Sequence, residues 1–333
     1  AYTLGDNNHP ENYLIVYTNP GEETGKVITD LPTSEYSKDT EVNVGETKLT
    51  GLISEPKEGI EKKKIIVIMI QGSGPNGMDE KIGNPGNKPF KALAGELNRN
   101  GFTTLRYNKR SFQYPELMEK TIVEEEYLKD VKAAAELAEE KYPDYKTVIL
   151  GHSQGGMLLS VFLEESPSVS AAICLAGSSR SLWDIIYDQN EYMLNFQIGT
   201  SKEAKEKTLK EVREQVDKLN SVTDPKEEVS FGNLDGEYVA SLNNLKAGEK
   251  FKEIKVPILV LQGDKDFQVT LKDFELLKQD LSGNDKAVFS VIEGMNHMLM
   301  PTLNKAFTSD YDDPRDISPE LVKEITSFLD SLE

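Results

Sequence analysis

Apolar positions recur along this chain in two alternating rhythms. Short apolar or β-branched runs stand at Ile65–Ile70, Phe102–Tyr107, Thr147–Leu150, Ala171–Ala176, Val256–Leu261 and Ala287–Ile292. Runs of this length suit strands buried inside a sheet. Between them the apolar residues return at helical spacing: Phe90, Leu93, Ala94 and Leu97; Tyr127, Val131, Ala134 and Ala138; Leu271, Phe274, Leu277 and Leu281. A last helix is marked by Ser318 as its cap, Pro319 at its first position and a stripe of Leu321, Ile325, Phe328 and Leu332. Strand and helix alternate from residue 65 onward. That order predicts the α/β class, a largely parallel sheet with helices on both faces.

Three stretches depart from this rhythm. Residues 1 to 40 are rich in Asn, Pro, Gly and Thr, with one β-rich run at Tyr13–Tyr17 and Lys26-Val27-Ile28 placed to pair back on it. They read as a β-rich appendage. Glu41–Val44 and Lys48–Ile53 alternate about Gly45-Glu46-Thr47, which predicts an antiparallel hairpin at a sheet edge. From 181 to 250 no buried-strand run occurs; Leu182, Ile185, Ile186 and Tyr192, then Leu209, Val212, Val216 and Leu219, mark helices in a charged setting. This stretch is expected as a helical cap, inserted at the carboxyl end of a core strand where open α/β sheets bind ligands. The core is then residues 41–180 and 251–333.

Composition narrows the choice of partners. The 333 residues are 38% hydrophobic, enough for one large domain with an insertion. A net charge of −19 repels phosphate backbones and anionic lipid, so no nucleic-acid partner is expected. No apolar run nears the ~20 residues that span a bilayer. The single Cys174 reads as a small buried strand residue, and one cysteine with three histidines gives no zinc spacing. No metal or organic cofactor is expected. The sequence opens on Ala1, as it would after removal of a signal peptide or an upstream segment, or simply at a chosen starting point.

The chemistry centres on Gly151-His152-Ser153-Gln154-Gly155, set between a strand and a helix. A serine held in such a turn needs small neighbours, and the glycines supply them. Its hydroxyl becomes a nucleophile only when a base removes the proton. His152 is aimed away from its neighbour's hydroxyl, and His9 lies in the appendage. His297, just past the last strand, is therefore the expected base. Asp264 and Asp266 both follow the Val256–Leu261 strand. Asp266, deeper in the loop, is the expected partner of the imidazole, with Asp264 bracing the Gly263 turn. The order Ser, Asp, His is that of α/β-hydrolases. An oxyanion needs two backbone donors. The amide of Gln154 is one and the amide of Ser73, in the loop Gln71-Gly72-Ser73-Gly74-Pro75, is the other. Gln71 and Gly72 are placed to meet substrate. So are Trp183 and Tyr187 of the cap, which with Tyr192, Met193, Phe196 and Tyr238 offer apolar surface to an acyl or aryl group.

With these pieces in place, residues 41 to 333 resemble the α/β-hydrolase superfamily. Within it they are similar to bacterial serine carboxylesterases with a Gly-Ser-Gly-Pro oxyanion loop. The matching segments are Gln71–Pro75 with Asp79-Glu80, Leu105–Arg110, Gly151–Gly156, Gly263–Asp266 and Asn296-His297. The usual His-Gly pair is Gln71-Gly72 here, and the usual Asp-Lys-Arg-Gly reads Asn108-Lys109-Arg110-Ser111. The resemblance implies Ser153 as nucleophile, Asp266 as acid, His297 as base, and a cap between the sixth and seventh core strands. Hydrolysis of a small-molecule ester through an acyl-enzyme is the expected activity. An amidase, peptidase or acyltransferase would use the same triad, and a ligand-binding protein would use the same scaffold without turnover.

Overall fold

The computed structural model describes residues 2–4, 14–16, 34–82, 86–116, 122–196, 199–229, 235–303, 308–313 and 315–333; at 2–4, 14–16, 308 and 309 it describes the backbone alone. Strands β1 (Tyr2–Leu4) and β2 (Leu14–Val16) pair antiparallel, apart from the main sheet. The expected pairing of Lys26–Ile28, and His9 with it, lie outside the described residues. The main sheet has eight strands: β3 (Ser37–Val44), β4 (Leu49–Pro56), β5 (Ile65–Ile70), β6 (Thr103–Tyr107), β7 (Lys146–His152), β8 (Val169–Leu175), β9 (Ile258–Gly263) and β10 (Ala287–Ile292). Their spatial order is β10-β9-β8-β7-β5-β6-β4-β3. The hairpin of β3 and β4 joins β6 antiparallel, and every pairing from β6 to β10 is parallel. The sheet thus begins at Ser37, inside the stretch expected as appendage.

Helices α1 (Pro89–Arg99), α2 (Arg110–Gln113), α3 (Asp130–Lys141), α4 (Gln154–Met157) and α5 (Leu159–Glu165) connect the first strands. Between β8 and β9 come α6 (Leu182–Asn195), α7 (Lys202–Ser221), α8 (Gly236–Asn244) and α9 (Ala247–Lys250). Helix α10 (Leu271–Asp280) links β9 to β10, and α11 (Pro319–Asp330) closes the chain.

Strand β5 shows why the sheet is covered twice. Successive side chains point to opposite faces. Ile66, Ile68 and Ile70 pack with Tyr127, Val131 and Ala134 of the α3 segment and with Phe274 of α10. Ile65, Val67 and Met69 pack with Phe90, Leu93 and Leu97 of α1 and with Leu321 and Ile325 of α11. An alternating strand would have had one wet face; the unbroken apolar run has none. Strand β10 is the exception, an edge strand that exposes Val288 and Val291. The α6–α9 segment has its own small core of Trp183, Ile186, Val212, Val216, Leu219 and Val239.

One element departs from simple helical spacing. The segment leading into α3 is a π-helical turn, Glu124–Lys129. Both Glu126 and Tyr127 of this wider turn face inward.

Candidate active site

Ser153 stands where β7 ends and α4 begins. Its backbone has φ 53° and ψ −117°, a strained conformation for a side-chain-bearing residue. The turn is fixed from both sides. The Ser153 N–H donates to Leu175 O of β8 at 2.9 Å, and its carbonyl accepts from Met157 N at 2.9 Å. Gly155 is obligatory here: a Cβ would stand 2.6 Å from Ile70 O and 2.7 Å from Gln71 O. Gly72 is the second close approach, since a Cβ there would stand 3.0 Å from Ser153 Cβ. The loop after β5 therefore lies directly against the serine.

Asp266 and His297 arrive from the loops after β9 and β10. Asp266 Oδ2 meets His297 Nδ1 at 2.7 Å, with both residues buried. The carboxylate also accepts from Gln262 Nε2 at 3.0 Å, Gln268 N at 2.8 Å and Val269 N at 3.0 Å. Such a ring of donors holds the carboxylate in one orientation. Asp264 takes the bracing place: its Oδ1 accepts from Gly294 N at 2.6 Å, tying its loop to the histidine loop. Asn296 shapes that loop by accepting from Met298 N at 3.0 Å and Met300 N at 3.1 Å.

The link from His297 back to the serine turn runs through His152. His152 Nε2 meets His297 O at 2.8 Å, and the two rings lie 4.8 Å apart, tilted by 42°. Among the hydrogen bonds of the described residues, none joins Ser153 to His297. Nucleophile–base contacts of this kind are often long before substrate arrives.

The oxyanion loop is held by buried charge. Gly72 O accepts from Tyr127 Oη at 2.7 Å and from Lys109 Nζ at 3.1 Å. Lys109 Nζ also donates to Gly74 O at 2.7 Å and to Tyr127 Oη at 2.8 Å, and pairs with Glu126 at 3.4 Å. Burial pushes the Lys109 ammonium down, and Glu126 only partly counters it. In a trans peptide the C=O and the next N–H point in opposite directions. Pinning Gly72 O toward Lys109 therefore turns the Ser73 N–H the other way. The Gly72 N–H is already spent on Glu80 Oε1 at 2.7 Å. Tyr127 Oη also lies 3.2 Å from Gln154 Oε1, so one hydroxyl touches both expected oxyanion elements.

Several expected substrate contacts are corrected. Trp183 is fully buried in the cap's own core, and its Nε1 donates to Asn243 Oδ1 at 2.8 Å. It has no face left for a ligand. Tyr187 packs against the same cluster, with the Arg213 guanidinium 3.7 Å from its ring centre. Gln71 is buried and donates to Tyr107 O, bracing the loop from behind. The apolar cluster nearest Asp266 and His297 is buried Phe267, Met298, Met300 and Tyr311, with partly buried Tyr192 and Met193 packed against it. Phe267 directly follows Asp266 and Met298 directly follows His297. Tyr238 of the cap accepts from Gln154 Nε2 at 3.1 Å. A cavity of about 240 Å³ lies at the root of the cap, between Ser178–Leu182 and Lys246–Glu249, but Ser153, Asp266 and His297 do not line it.

Glu80, His152, Lys109 and Tyr127 were assigned no role from the sequence. Glu80 and Lys109 fall inside segments that carry the family resemblance. Their function, however, depends on contacts between separate loops.

The family follows from the residues that build this geometry. Residues 86–302, well over half of the chain, match the family described as serine aminopeptidase, S33. The chain belongs to that family. As a member of the S33 family with the α/β-hydrolase fold, it is 29% identical over 298 residues to Esterase EstD of Thermotoga maritima, a match covering 90% of this chain and 68% of that one. Among solved structures, Est1E from Butyrivibrio proteoclasticus aligns with a TM-score of 0.57 at 17% identity, over 88% of this chain and 98% of that one. The Pyrococcus furiosus esterase Pf2001 aligns with a TM-score of 0.54 at 14% identity, over 94% and 99%. Among the described residues, no group of side chains is arranged to hold a metal ion, and no helix is long and apolar enough to cross a membrane.

Proposed function

We propose that this S33-family chain hydrolyses small carboxylic esters through Ser153, His297 and Asp266. The buried 2.7 Å bond from Asp266 Oδ2 to His297 Nδ1 carries the reading. It commits Nδ1 as a donor and leaves Nε2 as the base for a serine set on the same sheet edge. The strained turn at Ser153 and the 29% identity to a protein named an esterase support it.

In this mechanism Ser153 Oγ attacks the ester carbonyl as His297 Nε2 takes its proton. The amides of Ser73 and Gln154 hold the oxyanion. His297 then protonates the departing alcohol, leaving an acyl-serine. Water, deprotonated by His297, attacks that acyl group, and the serine regains its proton. Partly buried Tyr192 and Met193, backed by Phe267 and Met298, would meet an apolar acyl chain, and α6–α9 would act as a lid, since Tyr238 and Ile185 reach the helix after the serine.

The first test is turnover of a p-nitrophenyl ester series by wild type and Ser153→Ala. The variant is expected to lose on the order of 10⁴- to 10⁶-fold in kcat. Full activity in the variant sinks the reading. The family's description favours a second reading, cleavage of amide bonds from an amino terminus. Comparing p-nitrophenyl esters with aminoacyl p-nitroanilides separates the two.

A further inference from the structure

Two carboxylate–imidazole pairs meet beneath Ser153, and the proposed mechanism uses only one. The second is Glu80 with His152. Glu80 is buried and held at φ 52°, a left-handed conformation unusual for a side chain of its size. Its Oε1 accepts from Gly72 N at 2.7 Å and meets His152 Nδ1 at 3.0 Å. His152, equally buried, meets His297 O with its other nitrogen.

The proton count follows from those partners. A carbonyl oxygen can only accept, so Nε2 of His152 carries a hydrogen. At Nδ1 the partner oxygen already accepts the Gly72 amide, which sets it in place as an acceptor. The remaining proton then belongs on Nδ1. We infer that His152 is held as a doubly protonated imidazolium by Glu80, and that this ion pair braces the oxyanion loop against the backbone of His297. Both residues are positioning residues: Glu80 fixes Gly72 and the ring of His152, and the ring fixes the carbonyl of His297. Losing either ring proton would break one end of the brace.

The surrounding charges agree. Burial alone would disfavour the cation, but the charge and hydrogen bond of Glu80, the His297 carbonyl and the charge of Asp266 outweigh it and raise the His152 pKa. The second Glu80 oxygen has no hydrogen-bond partner among the described residues, so its charge is answered by His152 and, at longer range, by Lys109. The ring of His297 lies 4.8 Å away, and Phe90 closes the remaining side edge-on at 6.2 Å. The inference rests on the proposed mechanism for its consequence, but not for its protonation state.

The test is ¹⁵N-histidine NMR of the wild-type protein, which has three histidines to resolve. One ring is expected to keep both nitrogens protonated above the ordinary histidine value of ~6.5. Its signal, assigned by its loss in His152→Asn, should titrate at lower pH in Glu80→Gln, where the carboxylate no longer opposes burial. In ester turnover, Glu80→Gln should leave KM within about twofold and lower kcat on the order of 10- to 100-fold at pH 8, by displacing reacting groups. That deficit should shrink as pH falls and the ring regains its proton. A merely structural glutamate would give a deficit independent of pH. A singly protonated His152 at pH 7, or a flat wild-type-to-variant ratio, overturns the inference. The NMR readout needs no turnover, so absence of esterase activity overturns the mechanism alone.

Discussion

Lys109 shows how much one side chain can decide. Its ammonium is buried, yet it reaches two carbonyls of the oxyanion loop, one phenol and one carboxylate. Lys109→Met would match its length but return Gly72 O and Gly74 O without a cation, and strand Glu126. Breaking a buried pair from one side typically costs about 3–5 kcal/mol. The expected result is a drop of that size in urea-unfolding stability, together with a kcat loss larger than any change in KM. Equal kcat in wild type and variant would remove Lys109 from the oxyanion machinery. Gln154 could be nominated from the sequence because its amide directly follows Ser153, and Ser73 because it sits in the glycine-rich loop after β5. Lys109, Tyr127 and Glu80 were not, because each acts across a gap of other chain segments.

At the scale of elements, the cap differs from the core in what holds it together. Helices α6–α8 close over Trp183, while α7 offers solvent a run of Lys–Glu pairs at i,i+4. Such exposed pairs contribute little individually, so the apolar cluster carries the cap. Trp183→Ala should cost about 3–5 kcal/mol. It should loosen the cap before the sheet, visible as faster hydrogen exchange in α6 and α8 with β5 and β7 still protected. Uniform loss of protection would show that cap and core unfold as one. Helical spacing marked α6 and α7 but not α8. It placed Trp183 at substrate, because periodicity reports that a residue faces something apolar but not whether that surface is a neighbouring helix or a ligand. The π turn at Glu124–Lys129 escaped for a related reason: spacing found Tyr127 on the apolar stripe but gave no sign that the charged Glu126 beside it is buried too.

The whole molecule carries a net charge of −19, and its buried carboxylates set its pH response. Asp130 is the clearest case. Burial raises its pKa to about 6, even though Arg110 pairs with it at 2.7 Å. The folded chain therefore holds this proton more tightly than the unfolded chain, whose Asp titrates near ~3.9. Stability from this group is present below pH ~4 and is lost as pH rises through about 6. Asp130→Asn removes the titration. The stability advantage of wild type over the variant should be greater at pH 4.5 than at pH 7, by on the order of 1–3 kcal/mol. An advantage that does not change with pH would mean that Asp130 is ionised throughout.

The sequence by itself determined the α/β class, the strand order of events along the chain and the serine turn. These are written in local patterns: an unbroken apolar run, a helical stripe, glycines around one serine. It also singled out His297 and Asp266, because few histidines exist and each follows a strand. Only the tertiary structure decided that His152 spans from Glu80 to the His297 carbonyl, that Lys109 and Tyr127 hold Gly72 O, and that Trp183 packs among α6–α8. Those are relations between side chains far apart along the chain. Their distances are set by sheet order and loop packing, which no run of neighbouring residues encodes.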